Sequence, residues 1–246
     1  MHDLMVSFKE RLDEVDCYLK FLEMIETQSR NGPPRIEGSD ELISVKQQKI
    51  LYSSVYLQLY NLVESTMTRC IDAVSKAATD QSTWKPSDLS VALRNEWVRV
   101  FARTHIELNP AHRLESAVNL CDHLVKALPL SDFSIEKGGG GNWDDAEIYA
   151  ISNRLGFELK VKQEIHSVIK RPFKDDLGPL SLVKNLRNRL AHGSISFSEC
   201  SENTTVNQLI ELKVMTANYM EEVVNCFLVY LDEFEYLLPD RRPVKA

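Results

Sequence analysis

Long apolar runs are absent from this sequence. No window approaches the ~18 consecutive apolar residues of a membrane-spanning helix. The opening MHDLMVSFKERLDEVDCYLK is charged throughout and lacks the apolar block of a secretory leader. A cytoplasmic protein with no membrane partner is therefore expected. Cysteine is scarce: Cys17, Cys70, Cys121, Cys200 and Cys226 are odd in number and widely spaced, with no C-x-x-C pair. That argues against both a disulfide framework and a zinc site. His2, His105, His112, His123 and His166 form no H-x(3)-H or H-E-x-x-H set, and the acid pairs Asp144–Asp145 and Asp175–Asp176 read as solvated loop acids or helix-start residues. No metal and no other cofactor is expected. Positive charge is in deficit as well: a formal net charge of −7 over 246 residues excludes a protein that coats nucleic acid with a uniformly basic surface.

Strand-like alternation is missing too, and helical spacing accounts for what remains. From Asp3 to about Gln28, Leu4, Phe8, Leu12, Val15, Leu19, Leu22 and Ile25 recur at helical intervals, and the breakers in SRNGPPRIEGSD end that run. Leu42 to about Ala78 reads as one long helix with no Gly or Pro inside it and apolar residues around much of its circumference, the mark of a central core helix. KPSDLS caps a helix reaching about Arg103, and Asn109 and Pro110 are placed as N-cap and first residue of the next. An irregular stretch after Pro129 ends in KGGGGNWDDAEIYAISNRLGF, where Asn142 or Trp143 starts a short helix that Gly156 stops. Its glycines have no G-K-[ST] and no preceding strand, so they read as a flexible loop and not a phosphate cradle. FELKVKQEIHSVIK suggests an extended piece followed by a helical turn. DLGPLSLVKNLRNRLAHG is a helix bounded by Pro179 and Gly193, and Thr205 opens a long final helix through FEYLL. The expectation is one all-α domain over residues 1–246, a bundle with long central and C-terminal helices and an irregular insertion, with 239–246 (PDRRPVKA) as a disordered tail.

The helix ending in VKNLRNRLAHGSISF carries the chemistry. At ~100° per residue, Leu182, Val183, Leu186 and Leu190 share one arc, while Lys184, Arg187, Asn188 and His192 fall within roughly 140° on the other side, with Ala191 as a gap among them. This polar face is not required by the apolar stripe and is expected to stand free of the monomer's own core. It closes a locally basic region: nine basic residues against four acidic between Arg154 and Arg189, an excess of five. One reading is a solvated basic face with a capping histidine, since cations are favoured in a helix's last turn. The other is a phosphodiester site, in which arginine supplies a forked fixed charge and histidine a group that titrates near neutrality.

LRNRLAHG resembles the R-N-x-x-x-H motif of HEPN domains, the helical superfamily named for higher-eukaryote and prokaryote nucleotide-binding proteins, many of whose members are ribonucleases. LYNLVESTM in the central helix, GGNWDDAEIYAISNRLGF ahead of the motif and LAHGSISFSEC through it look like the MAE-type branch found in toxin and restriction-type defence loci. The resemblance implies that Arg187 and His192 are the catalytic pair and Asn188 the polar residue that follows the arginine. Ser196 and Phe197 also fit the branch, with no chemistry attached. Glu64 in YNLVEST is either a surface acid or a buried carboxylate needing a cationic partner, for which Arg187 is preferred.

The implied activity is metal-independent RNA cleavage, in which the 2′-OH attacks the adjacent phosphate. That step needs a proton acceptor, a proton donor and positive charge around the transition state. One histidine cannot conveniently be donor and acceptor at once, so the resemblance implies a homodimer that brings two motif helices together. RNA is the expected substrate, and a cognate antitoxin or controlling subunit is a further expected partner. The alternative is a non-catalytic RNA- or nucleotide-binding HEPN module acting through a partner protein.

Overall fold

The computed structural model describes residues 3–36, 38, 41–79, 84–131, 133–137 and 142–244, and the glycine run at 138–141 lies outside them. The described residues form helices joined by loops, with three isolated backbone bridges and no sheet. In chain order the helices are α1 (Asp3–Ser29), α2 (Val45–Thr79), α3 (Val91–Phe101), α4 (Pro110–Val125), α5 (Asp145–Leu155), α6 (Gln163–Lys170), α7 (Pro179–Ala191), α8 (Phe197–Cys200) and α9 (Val206–Asp232). None is long and apolar enough to cross a membrane.

α2 is the spine. Its 35 residues correspond to about 52 Å of helix, and it contributes to both apolar clusters of the core. Tyr52, Val55, Tyr56, Leu59 and Tyr60 near its start pack with Val15, Leu19 and Leu22 of α1 and with Leu182, Val183, Leu186 and Leu190 of α7. Farther along, Val63, Met67, Ile71 and Val74 meet Trp97 of α3, Ile148 and Ile151 of α5, and Met220, Val223 and Phe227 of α9. Each such fully buried large side chain stabilises the fold by about 1.5–3 kcal/mol relative to exposure. The apolar stripe expected of α7 is the one buried.

Local signals set most boundaries. Ser90, Asn109, Asp144 and Thr205 each accept a backbone N–H at the start of α3, α4, α5 and α9. Three boundaries differ from expectation. α2 starts at Val45, because Leu42 bridges to Arg35 and Ser44 instead accepts from the N–H of Gln47. α5 starts after Asp144, which out-competes Asn142 and Trp143 as a cap. α9 stops at Asp232, and the chain turns so that Tyr236–Leu238 lies beside Asp88–Ser90: the Ser90 N–H donates to Tyr236 O at 2.8 Å and the Leu238 N–H to Asp88 O at 2.9 Å. The tail expected to be disordered is correspondingly tied down. Pro239–Arg241 forms a 3₁₀ turn, and Arg241 pairs with Asp88 at 3.3 Å; of that tail, residues 245–246 lie outside the described residues. The sequence reading does not anticipate α8. It is one turn held by a capping box between Ser196 and Glu199, which gives Ser196 a structural part, and the Ser53 hydroxyl donates to the Phe197 carbonyl.

Candidate active site

α7 is held at both ends by backbone geometry. Pro179 occupies its first position, and the preceding Gly178 lies so close to α6 that an added Cβ would stand 2.4 Å from the Ile169 carbonyl oxygen. At the other end His192 is the C-cap (φ −90°, ψ 1°), and Gly193 takes the left-handed conformation (φ +68°) that L side chains rarely adopt. This turn lets the Ser194 N–H reach the Arg189 carbonyl at 2.9 Å and fixes where the His192 backbone lies. The imidazole itself is exposed and has no hydrogen bond or ion pair among the described residues.

Arg187 is placed quite differently. Its guanidinium carbon lies 3.7 Å from the centre of the Tyr60 ring, a cation–π contact. Nη1 donates to Asn188 Oδ1 at 2.7 Å, and Nη2 stands 3.5 Å from Glu64 Oε2. Asn188 in turn donates through Nδ2 to Asn142 Oδ1 at 2.9 Å. Tyr60 and Glu64 are four apart on α2 and so share a face. The Tyr60 hydroxyl accepts the backbone N–H of Trp143 at 3.2 Å. Burial pushes the Tyr60 phenol up, with the Trp143 N–H and Arg187 opposing, so it stays neutral beside the cation. Glu64 is the expected partner of Arg187 but is not a buried carboxylate: its side chain is 43% exposed, and a pair so open at this distance contributes about 0–1 kcal/mol.

Lys184, one turn earlier, bonds Asp144. Asp144 is buried, caps α5 by accepting the Glu147 N–H, and is thus a helix-start residue and not a solvated loop acid. Burial alone would raise its carboxyl, but the Lys184 ammonium and the N–H groups of Glu147 and Ala146 outweigh that and hold it below the usual carboxylate range. The polar face of α7 therefore does not stand free, as its helical periodicity suggested. Residues 142–144 run along it, and Lys184, Arg187 and Asn188 are half-buried against their own chain. Among the described residues, only the His192 end of this face is open. The basic region is likewise largely neutralised internally: Arg154 pairs with the buried Glu96 at 2.6 Å, Lys162 with Glu222 at 2.7 Å, and Lys170 with Asp145.

Sequence reasoning does not single out Tyr60, Asn142 or Asp144 as site residues. They lie in LYNLVESTM and GGNWDDAEIYAISNRLGF, two of the stretches whose order suggests a family, and those stretches meet at Arg187. That is the available signal. Among the described residues, no group of three or more His, Cys, Asp or Glu side chains is arranged to hold a metal ion.

A bundle without strands among its described residues, with an Arg-Asn-x(3)-His helix end anchored on a tyrosine of its central helix, defines a HEPN-type module. The chain belongs to the HEPN_MAE_28990-like HEPN family, whose model matches residues 2–236. No curated protein and no solved structure matches it.

Proposed function

We propose that this chain is a metal-independent HEPN endoribonuclease, a toxin or defence effector. In this reading the 2′-OH of RNA attacks the adjacent phosphate, with Arg187 and His192 acting at a site shared across a homodimer. One observation carries it. A guanidinium gripped by Tyr60, Asn188 and Glu64 sits on the same helix end as an exposed imidazole with no partner among the described residues, about 7.5 Å farther along the axis. A positioned cation suits the charge that develops on a pentavalent phosphate, and an unengaged histidine is available for proton transfer. Lys184, Asn188 and Glu64 act as supports: Asn188 orients the guanidinium, and Lys184 holds the 142–144 segment in place.

The test is cleavage of total RNA by wild-type and His192→Ala protein in EDTA, with analysis of the product ends. A 2′,3′-cyclic phosphate and a 5′-hydroxyl are expected, together with failure on a substrate that carries a 2′-deoxy sugar at the cut. A 5′-phosphate, or activity lost to chelator and restored by magnesium, would overturn the mechanism. A second reading, the non-catalytic RNA- or nucleotide-binding module acting through a partner, is favoured by the engagement of Arg187 with Tyr60, Asn188 and Glu64 of its own chain. Wild-type protein that binds RNA without cutting it would support this reading instead.

A further inference from the structure

Beside the Lys184–Asp144 bond, the next residue, Asp145, pairs with Lys170 of α6. These two ion pairs link the motif helix to a cavity of about 210 Å³ between α5, α6 and α9. Its walls combine apolar and polar groups: the side chain of Ile169, the exposed ring of Tyr149 (56% exposed), the imidazole of His166, the Lys170–Asp145 pair, and Tyr219. Tyr219 is buried, and that burial, with the carboxylates of Asp145 and Asp144 near it, pushes its phenol up, so it keeps its proton and can donate. Arg171, directly after Lys170 at the end of α6, is exposed and carries no ion pair among the described residues. It is a cation of the basic region left for a ligand after Arg154, Lys162, Lys170 and Lys184 have paired internally.

We infer that this cavity receives one unstacked base of a single-stranded RNA, stacked on Tyr149. The inference rests on the ribonuclease reading for its ligand class. Its geometry is independent of the catalytic step. An aromatic ring at the rim of a pocket with an apolar wall and both donors and acceptors is the usual provision for a splayed-out base. A cation beside it suits a flanking phosphate. His192 is not among the residues that line the cavity, so the base held here is not that of the cut nucleotide.

The experiment is a binding cycle on His192→Ala protein, which holds RNA without cutting it under the proposed mechanism. A labelled oligoribonucleotide is bound at fixed salt, and a single abasic ribose is walked along it. One position should lose about fivefold or more in affinity, the lower end of the range for a stacked base. In the doubly substituted His192→Ala/Tyr149→Ala protein, binding of the intact strand should fall by a similar factor and the abasic site should cause no further loss. Tyr149→Phe should restore wild-type behaviour, since it keeps the ring. Equal losses at every position, an abasic penalty that persists without the Tyr149 ring, or no binding of single-stranded RNA would each overturn the subsite. Cleavage by the otherwise wild-type chain is scored separately. His192-dependent cutting with no such position leaves the ribonuclease reading standing and the subsite refuted. A Tyr149-dependent position in a protein that never cuts RNA supports the subsite and refutes the ribonuclease reading.

Discussion

His192 and Arg187 sit five residues apart in one motif, yet they differ in what their loss should do to the fold. The His192 imidazole is exposed and unengaged among the described residues, so His192→Ala should abolish RNA cleavage while stability stays within about 0.5 kcal/mol of wild type. Arg187 stacks on Tyr60 and bonds Asn188, which holds Asn142. Arg187→Ala should therefore abolish cleavage and also cost about 1–2 kcal/mol in urea unfolding. An inactive Arg187→Ala protein that unfolds like wild type would show that the contact with Tyr60 contributes nothing to stability. Arg187→Lys keeps the charge but loses the planar fork that spans Tyr60, Asn188 and Glu64, and it should recover little activity.

At the scale of elements, α5, α6 and α7 are positioned by a few close contacts. Gly178→Ala would drive a methyl group into the Ile169 carbonyl, a backbone atom that cannot turn aside. It should separate α6 from α7 and cost about 1–3 kcal/mol, measured by the urea midpoint. Asp144 joins α5 to α7 through a carboxylate held below the ordinary aspartate value of 3.8 by Lys184 and two N–H groups, despite its burial. A depressed folded-state value gives stability that is complete above 3.8 and is lost as pH falls below it, because the unfolded chain takes up the proton first. Asp144→Asn keeps a good helix cap but has no carboxylate to titrate. Its stability should decline less steeply than wild type as the pH falls below 3.8, as followed by thermal melts. Parallel declines would mean that the Lys184–Asp144 bond adds no pH-dependent stability.

For the whole molecule, the open His192 end of α7 is the surface on which a two-fold partner would complete the proposed site. Light scattering at working concentrations should find a homodimer, and mixing His192→Ala with wild-type chains should give heterodimers of reduced activity, since each shared site would lack one proton-transfer group. A monomer that still cleaves RNA would rule out the shared site.

Helices can be read from the order of residues because their causes are local. Apolar spacing, Asn109 and Thr205 as caps, Pro179 and Gly193 as bounds of α7, and its buried stripe of Leu182, Val183, Leu186 and Leu190 all depend on neighbours a few positions away. The motif itself is legible for the same reason, since Arg187, Asn188 and His192 fall within two turns. What lies against that motif depends on the tertiary structure. Tyr60 is 127 residues from Arg187 and Asn142 is 46 from Asn188, and no periodicity within α7 records that another segment will lie along its polar face. The same holds for the paired state of Lys184 and Arg154 and for the place of Leu238 and Arg241 beside Asp88. A charge's partner and a loop's resting place are chosen by how distant helices pack, so the tertiary structure decided that Arg187 is gripped and His192 left open.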